Sequence, residues 1–287
     1  MRRRTTAVLM CSLLVLVAFP SLADVGEGDA QWALRAEGSE GATAAATRVN
    51  GAIAAYGEAL QTNPWDLEAR WKLLRALRFK GVYVAQAPEE KKRIFEEAKR
   101  IGSVGFEQLD RHLASRRAGS IQKGSMTAVV AALRPIPNAG AFLYWDAANW
   151  GEWAMVHGKV AAARLGVADR IRREAAIVLN LDPRIEDGGG ARILGRLHHQ
   201  TPRIPLITGW ASNAEAVKFL EQSAALGPED KLTQLFLAEA LADRSERMRA
   251  AAILRALIGD FVDPFYAVED AAIQDEARRL LARLERR

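Results

Sequence analysis

One spacing of small, bulky and proline residues occurs twice in this chain and constrains its fold more than any other feature. In the first copy the steps are four, three and five residues, and the members are Ala52, Tyr56, Ala59 and Pro64. The second copy has the same steps, with Ala216, Leu220, Ser223 and Pro228. Nine residues after each proline comes an apolar pair, Leu73-Leu74 and Leu237-Ala238. Two independent copies of this spacing predict two copies of one structural unit.

The spacing is that of the second helix of a tetratricopeptide repeat, a helix pair of about 34 residues. Its small residues let paired helices approach closely, and its large ones fill the grooves between them. The period is irregular: Pro183 and Pro228 are 45 residues apart, one repeat plus the 11-residue insertion Thr201–Ala211. Alternating β-branched runs are nearly absent. We therefore predict an all-α fold over residues 24–287, an irregular tetratricopeptide-like helical repeat array (α-solenoid).

The first 23 residues have the pattern of a secretory signal peptide. Three arginines (Arg2 to Arg4) precede the apolar stretch Ala7–Phe19, and Ser21-Leu22-Ala23 forms a small-x-small cleavage site. The apolar stretch is too short to span a membrane comfortably. A bulky methionine precedes Cys11, which does not fit a lipidation site. We expect a cleaved signal peptide over residues 1–23, a periplasmic location and no lipid anchor.

Removal of this segment lowers the net charge, on which binding to nucleic acid would depend. The chain carries +5, and loss of the three arginines leaves about +2. Because nucleic-acid binding requires a concentrated basic face, we expect no such partner. Cys11 is the one cysteine of the sequence, so disulfides are excluded, and about 264 residues are enough to bury a core without them.

Helical periodicity and terminating residues also predict where other helices begin and end. We expect a short helix over Ala30–Glu37, two separate helices over Pro88–Ile101 and Val104–Ala114, and a terminal helix over Ile273–Arg286. The most aromatic helix is predicted over Ala139–His157.

This aromatic helix is the strongest candidate for a functional surface. With about 100° per residue, its polar and aromatic side chains share an arc of about 140°. These side chains are Trp145, Asp146, Asn149, Trp150, Trp153 and His157. Tryptophans mixed with polar groups are typical of a ligand pocket or a partner-binding groove. They are also compatible with a crowded helical core whose polar members lie at its edge, and both interpretations stay open.

Repeat arrays present the first helices of successive repeats on a concave binding face. Ala139–His157 and Ala191–His199 are both first-helix candidates, separated by one element of the second type. We therefore predict a cavity that binds a ligand or a partner. Its walls would be Tyr144, Trp145, Asn149, Trp153 and Arg192. The tryptophans would supply apolar contact area, while Asn149 and Arg192 would orient a polar head group or a partner's acidic rim.

Catalytic motifs occur only as fragments, so we expect no enzymatic activity, no cofactor and no metal. Ser120 and Lys123 match S-x-x-K, but neither K-T-G nor S-D-N accompanies them. His198 and His199 are adjacent, so on a helix their rings point about 100° apart and cannot share a metal by themselves. Gly188–Gly190 precedes a helix and favours a flexible helix entry over an anion site. The alternative is a hydrolase, which requires a histidine bonded to both a nucleophile and a buried carboxylate.

Five stretches of the chain resemble, in order and spacing, the TatT family, the T-component associated with TRAP transporters (tripartite ATP-independent periplasmic transporters). These stretches are AQWALRA, YGEALQTNPWDLEARWKLLRALRFKG, YWDAANWGEWA, LNLDPRIEDGGGARILGRLHHQTPRIPL and AVKFLEQSAALGPEDKLTQLFLAEALAD. The most specific part is G-G-G-A-R-x-L-G-R-L, followed by a proline-rich insertion and a repeat helix.

The resemblance implies a non-enzymatic periplasmic helical-repeat protein that engages the solute-binding receptor of a TRAP transporter. It also implies a trimer with cavities and a central pore for a hydrophobic ligand. Family members are lipoproteins, and the plain signal peptide predicted here departs from that pattern. The family has no established catalytic residues, so none is carried over. A general tetratricopeptide scaffold for cell-envelope assembly is the alternative function.

Overall fold

The computed structural model describes residues 25–203 and 208–286, and in these ranges the chain is all helical. The predicted all-α class is therefore confirmed. Within these ranges no strand occurs, and one isolated bridge joins Glu40 to Thr43. The predicted signal peptide lies outside the described residues. None of the helices in the described ranges is both long and apolar enough to cross a membrane.

Thirteen α-helices follow one another in the described ranges. The first six are α1 (Val25–Ala33), α2 (Ala46–Thr62), α3 (Leu67–Phe79), α4 (Pro88–Ser115), α5 (Met126–Leu133) and α6 (Ala139–His157). The other seven are α7 (Lys159–Arg164), α8 (Val167–Leu181), α9 (Gly189–Gln200), α10 (Asn213–Leu226), α11 (Lys231–Asp243), α12 (Arg247–Gly259) and α13 (Ala267–Glu285). A π-helical turn, Lys80–Val84, continues α3, and a 3-10 turn, Pro264–Tyr266, precedes α13.

The two copies of the repeated spacing lie in helical hairpins of the same design, α2–α3 and α10–α11. In each hairpin an aspartate two residues after the proline caps the second helix. Asp66 accepts hydrogen bonds from the backbone N–H groups of Glu68 and Ala69, at 2.8 and 3.0 Å. Asp230 accepts one from the backbone N–H of Thr233 at 3.0 Å. The small and bulky positions of both copies are buried: Ala52, Tyr56, Ala59, Leu73, Leu74, Ala216, Leu220, Ser223, Leu237 and Ala238.

Helix α6 is the centre of the N-terminal half, because it packs against α3, α4 and α8. From α8 to α13 each helix packs mainly against the next one along the chain. The two ends of the described chain also meet. Arg35, which follows α1, donates to Glu269 of α13 at 2.9 Å, and Val268 belongs to the same core as Trp32. An open solenoid keeps its ends apart because each repeat contacts only its neighbours, so this contact departs from the predicted array.

The prediction of two separate helices over Pro88–Ile101 and Val104–Ala114 was wrong, because α4 runs through both. Gly102 and Gly105 lie inside this helix and let α6 approach closely. A Cβ atom at Gly102 would collide with the Asp146 carboxylate, and one at Gly105 would lie 2.6 Å from the Phe142 ring. A glycine inside a helix costs only about 1 kcal/mol, which such close packing offsets.

The first and last helices also begin earlier than predicted. Helix α1 covers Val25–Ala33 rather than Ala30–Glu37, and Gly28 within it lies directly against the Tyr56 ring of α2. After α1 the chain continues in turns as far as Gly38, whose φ of +73° is not a helical value. Helix α13 begins at Ala267 because the side chain of Asp263 accepts from the Phe265 N–H and starts the preceding 3-10 turn.

Gly190 sets the distance between α8 and α9. A methyl group at this position would lie 2.9 Å from the backbone nitrogen of Leu179 and 3.0 Å from the carbonyl oxygen of Ala175. Because backbone atoms cannot move aside as a flexible side chain can, we expect Gly190→Ala to lower the free energy of unfolding by about 1–3 kcal/mol. Denaturant unfolding followed by circular dichroism measures this change.

Gly151 of α6 provides the matched control, because nothing lies within 4 Å of a Cβ atom built there. Gly151→Ala is expected to raise the free energy of unfolding by about 0.5–1 kcal/mol, since alanine loses less backbone freedom on folding. A gain of stability in both variants would show that α8 and α9 do not approach as closely as described.

Candidate functional site

None of the five residues predicted to wall a cavity has an exposed side chain. Four of them are buried, and Trp145 is half-buried. Two lie in different hydrophobic clusters: Tyr144 belongs to the main core and Trp153 to a smaller one with Phe95 and Val167. The structure therefore brings together only part of the predicted set.

The predicted residues that do come together, Tyr144 and Arg192, are joined by a hydrogen bond from Arg192 of α9. Its Nη2 donates to the Tyr144 hydroxyl at 2.6 Å and to the backbone oxygen of Glu186 at 3.0 Å, and its Nη1 donates to Asp230 at 2.6 Å. Burial lowers the pKa of Arg192, but Tyr144 and Asp230 outweigh it and hold the pKa above its usual value. Arg192 is thus a permanent buried cation that ties α6 and α11 to the α8–α9 loop.

Trp145 and Asn149 attach α6 to the same loop and to α3. The Trp145 indole Nε1 donates to Glu186 Oε1 at 3.0 Å. The Asn149 Nδ2 donates to the backbone oxygen of Leu74 at 3.0 Å. Asn149 is therefore a structural bridge between two helices, whereas Trp145 keeps part of its ring accessible.

Trp153 lies on another side of α6. Its Nε1 donates to Glu96 of α4 at 2.7 Å, and its ring stacks on His157 with centroids 4.2 Å apart. These contacts pack α4 against α6, so Trp153 is a core residue in this structure.

A half-buried stripe on α3 faces α6, and its central member, Arg75, was not predicted from the sequence. Trp71, Arg75 and Arg78 are half-buried at positions i, i+4 and i+7, whereas the apolar residues between them are buried. Arg78 pairs with Glu152 of α6 at 2.7 Å. The Arg75 guanidinium carbon lies 4.9 Å from the Trp71 ring centroid. The four-residue step from Trp71 to Arg75 was the sequence signal that could have identified this stripe.

The α8–α9 loop beside this stripe is held in a strained conformation. Glu186 and Asp187 have φ angles of +49° and +52°, a region that costs a residue with a Cβ atom about 1–2 kcal/mol. Burial raises the pKa of the Glu186 carboxyl, while Trp145, Arg192 and Arg75 act in the opposite direction. Strain of this kind persists where surrounding contacts enforce it and is concentrated at functional sites.

The C-terminal region packs against the segment that follows α1. Arg35 is buried between the rings of Trp32 and Phe265, with its guanidinium carbon 4.6 and 4.1 Å from their centroids. Burial raises the pKa of the neighbouring Tyr266, Arg35 opposes the shift, and the charge of Glu186 adds to it. The surface formed by Trp71, Arg75, Trp145 and Glu186 is called the inner recess.

A buried ionic cluster lies between α4, α6 and α8. Arg170 bonds Asp146 at 2.6 Å and Glu174 at 2.8 Å, and both carboxylates are fully buried. The guanidinium also lies over Phe106 and Trp150, 4.0 and 4.8 Å from their ring centroids. Burial raises the pKa of both carboxyls, and the charge of Asp146 raises that of Glu174 further. Since one arginine neutralises one carboxylate, we infer that Glu174 carries a proton.

The histidines of the described ranges lack the geometry that the hydrolase alternative requires. None bonds a serine, threonine or cysteine side chain within these ranges. His199 has a carboxylate partner, Asp243, at 2.9 Å, but that side chain is 66% exposed. The pair borders a cleft of about 320 Å³ between α9, α11 and α13. Among the described residues no cluster of histidine, cysteine and acidic side chains could hold a metal ion.

The chain matches no protein-family model and no curated protein sequence. Its function is therefore inferred from the helical packing and from the chemistry of the inner recess.

Proposed function

We propose that this chain is a non-enzymatic periplasmic binding protein, built from tetratricopeptide-like repeats, that engages a solute-binding receptor as the T-component of a TRAP transporter. The observation that carries this proposal is the pair of matching hairpins, α2–α3 and α10–α11. They share the residue spacing, the proline turn and the aspartate cap, and their repeat positions are buried. Stacked hairpins of this kind form extended concave surfaces that bind partners and ligands.

The inner recess supports a binding role. It places half-buried tryptophans beside charged side chains that are held by neighbouring helices. Tryptophan and arginine dominate the energetics of binding surfaces because they combine a large apolar area with directional polar groups. A general assembly scaffold of the cell envelope is the second candidate, favoured by the same hairpins.

The identity of the protein that this chain binds distinguishes the two candidate functions. The tagged full chain, cross-linked in its own host before lysis, is expected to recover the solute-binding receptor of a TRAP transporter. Genes for that receptor and for a large and a small permease subunit should lie beside the gene for this chain. Recovery of outer-membrane assembly proteins in place of a receptor would favour the scaffold.

A substitution in the inner recess tests whether this surface contributes to receptor binding. Trp145→Ala removes a half-buried ring, so we expect the dissociation constant for the receptor to rise about tenfold while helical content is unchanged. Met155→Ala is the matched control, because Met155 lies on the same helix but is 70% exposed, away from the recess. Equal affinities of both variants and the unmodified chain, measured by calorimetry, would place the receptor surface elsewhere.

A further inference from the structure

We propose that the cleft between α9, α11 and α13 binds a primary ammonium group on an apolar stem, with the Asp243 carboxylate as its anchor. None of the residues that line this cleft belongs to the inner recess. The inference therefore goes beyond the proposed function and does not depend on it. Three observations support it: the helix ends that meet at the cleft, the pairing of its charges and its apolar side.

Three helices end at this cleft, which has a volume of about 320 Å³. Helix α9 contributes its last two residues, His199 and Gln200, and α11 contributes its last residue, Asp243. Leu280 and Leu284 come from the last two turns of α13. The C-terminal end of a helix carries a partial negative charge of about half a unit. Three such ends around one cleft favour a cation within it.

Asp243 adds a full negative charge at this place. A carboxylate at the C-terminal end of a helix is unfavourable for folding, because it meets the negative end of the helix dipole. Its Oδ2 lies 2.9 Å from the Nε2 of His199, whose side chain is only 5% exposed, whereas that of Asp243 is 66% exposed. The amide of Gln200 lies 3.2 Å from the other ring nitrogen of His199. A buried ring thus orients an exposed carboxylate that the helix end disfavours, and a bound cation would offset that cost.

Asp243 also differs from the other charged residues of the cleft in its partners. Glu239 pairs with Arg196, and Arg283 pairs with Glu276 at 3.2 Å. Among the described residues no lysine or arginine forms an ion pair with Asp243. An incoming cation would therefore meet a carboxylate that no lysine or arginine neutralises.

One side of the cleft is apolar. Ala242, Leu280 and Leu284 line it together with Asp243, so a hydrocarbon stem can lie on these residues while its charged end stays in contact with water. The volume is at the lower end of the range for small-molecule sites, about 300–1,000 Å³. This size suits a single extended side chain or a small amine.

The geometry of Asp243 favours an ammonium group over a guanidinium group. A guanidinium binds a carboxylate best through two parallel hydrogen bonds, one to each oxygen. Because Oδ2 of Asp243 already contacts His199, only Oδ1 is open to a ligand. An ammonium is a compact charge that one oxygen can bind.

Hexylamine, hexanol and hexanoate share an apolar chain and differ in the head group, so they test this proposal. Their binding to the isotope-labelled full chain is followed by NMR at the amide signals of residues 239–243. We expect hexylamine to bind at least tenfold more tightly than the other two. Asp243→Asn should weaken hexylamine binding about tenfold, the loss of a hydrogen bond to a charged group. Asp169→Asn is the matched control, because that aspartate lies on α8 and is 60% exposed.

Thermal melting separates a binding role of Asp243 from a structural one. Asparagine keeps an oxygen that accepts from His199 and removes the charge from the end of α11. We therefore expect Asp243→Asn to be as stable as the unmodified chain or slightly more stable. A less stable variant that binds hexylamine as before would show that Asp243 only supports the fold.

The source of the ammonium group is tested with Nα-acetyl-lysine methylamide, which models a lysine side chain of a partner protein. Tighter binding of this compound than of hexylamine supports a partner's lysine as the ligand, and the reverse order supports a free amine. Equal binding of hexylamine and hexanol, or tighter binding of hexanoate, would overturn the proposal. So would the absence of hexylamine binding at millimolar concentration.

Discussion

Replacement of Arg192 by alanine is expected to lower the free energy of unfolding by about 3–5 kcal/mol, the cost of breaking a buried ion pair. The variant would leave the Asp230 carboxylate without its cation and the Tyr144 hydroxyl and the Glu186 carbonyl without their donor. It would also free the strained α8–α9 loop, so the Trp145 indole should lose its fixed contact with Glu186. Urea unfolding followed by circular dichroism measures the first effect, and tryptophan fluorescence reports the second.

Arg196 provides the control for this substitution. It lies one turn further along α9 and forms an ion pair with Glu239, but its side chain is 31% exposed. We expect Arg196→Ala to cost about 1 kcal/mol or less, as for ion pairs in contact with water. If Arg192→Ala were as stable as Arg196→Ala, Arg192 would not be the buried junction described above.

Asp146→Ala is expected to lower the free energy of unfolding by about 3–5 kcal/mol, because Arg170 would lose its ionised counter-ion and Glu174 would have to give up its proton in the interior to replace it. Glu174→Gln should behave differently at neutral pH. Since Glu174 is inferred to be protonated, an amide preserves its shape and its ability to donate to Asp146. We therefore expect Glu174→Gln to retain the stability of the unmodified chain or to exceed it. Calorimetric melting of both variants compares them directly.

The pH dependence of stability gives a second readout of this cluster. The pKa of Glu174 is raised in the folded chain, so the folded state holds a proton that the unfolded state releases. Stability from this group is present below the ordinary glutamate pKa and is lost as pH rises toward the folded pKa. Glu174→Gln should therefore reduce the loss of stability as pH rises above the ordinary glutamate pKa. An unchanged pH profile, or a variant as unstable as Asp146→Ala, would contradict the protonated state.

Local patterns were sufficient to predict several helices and the repeated hairpins. Ala139–His157 has the predicted bounds, because Gly158 follows its last residue. The repeat positions could be identified since their spacing follows directly from the contacts that paired helices make. In contrast, the continuity of α4 depends on side chains of α6 that fill the space left by Gly102 and Gly105. These contacts between helices cannot be predicted from the sequence around the two glycines.

The candidate site was less predictable for the same reason. Trp145 and Trp153 do lie on one helix, as predicted from the sequence. However, neighbouring helices cover them differently, so they belong to different hydrophobic clusters. The contact of Arg75 with the Trp32 ring, which belongs to α1, could not be predicted from the sequence either. A single sequence does not specify which charges are paired across 40 or more residues, and this pairing decides which of them can act on a ligand.

The central claim is that this chain binds the solute-binding receptor of a TRAP transporter. Its most direct test is calorimetric titration of the purified full chain with the receptor encoded beside it. We expect a saturable complex that Trp145→Ala weakens and Met155→Ala does not. No detectable association with the receptor, together with saturable binding to an outer-membrane assembly protein, would contradict it.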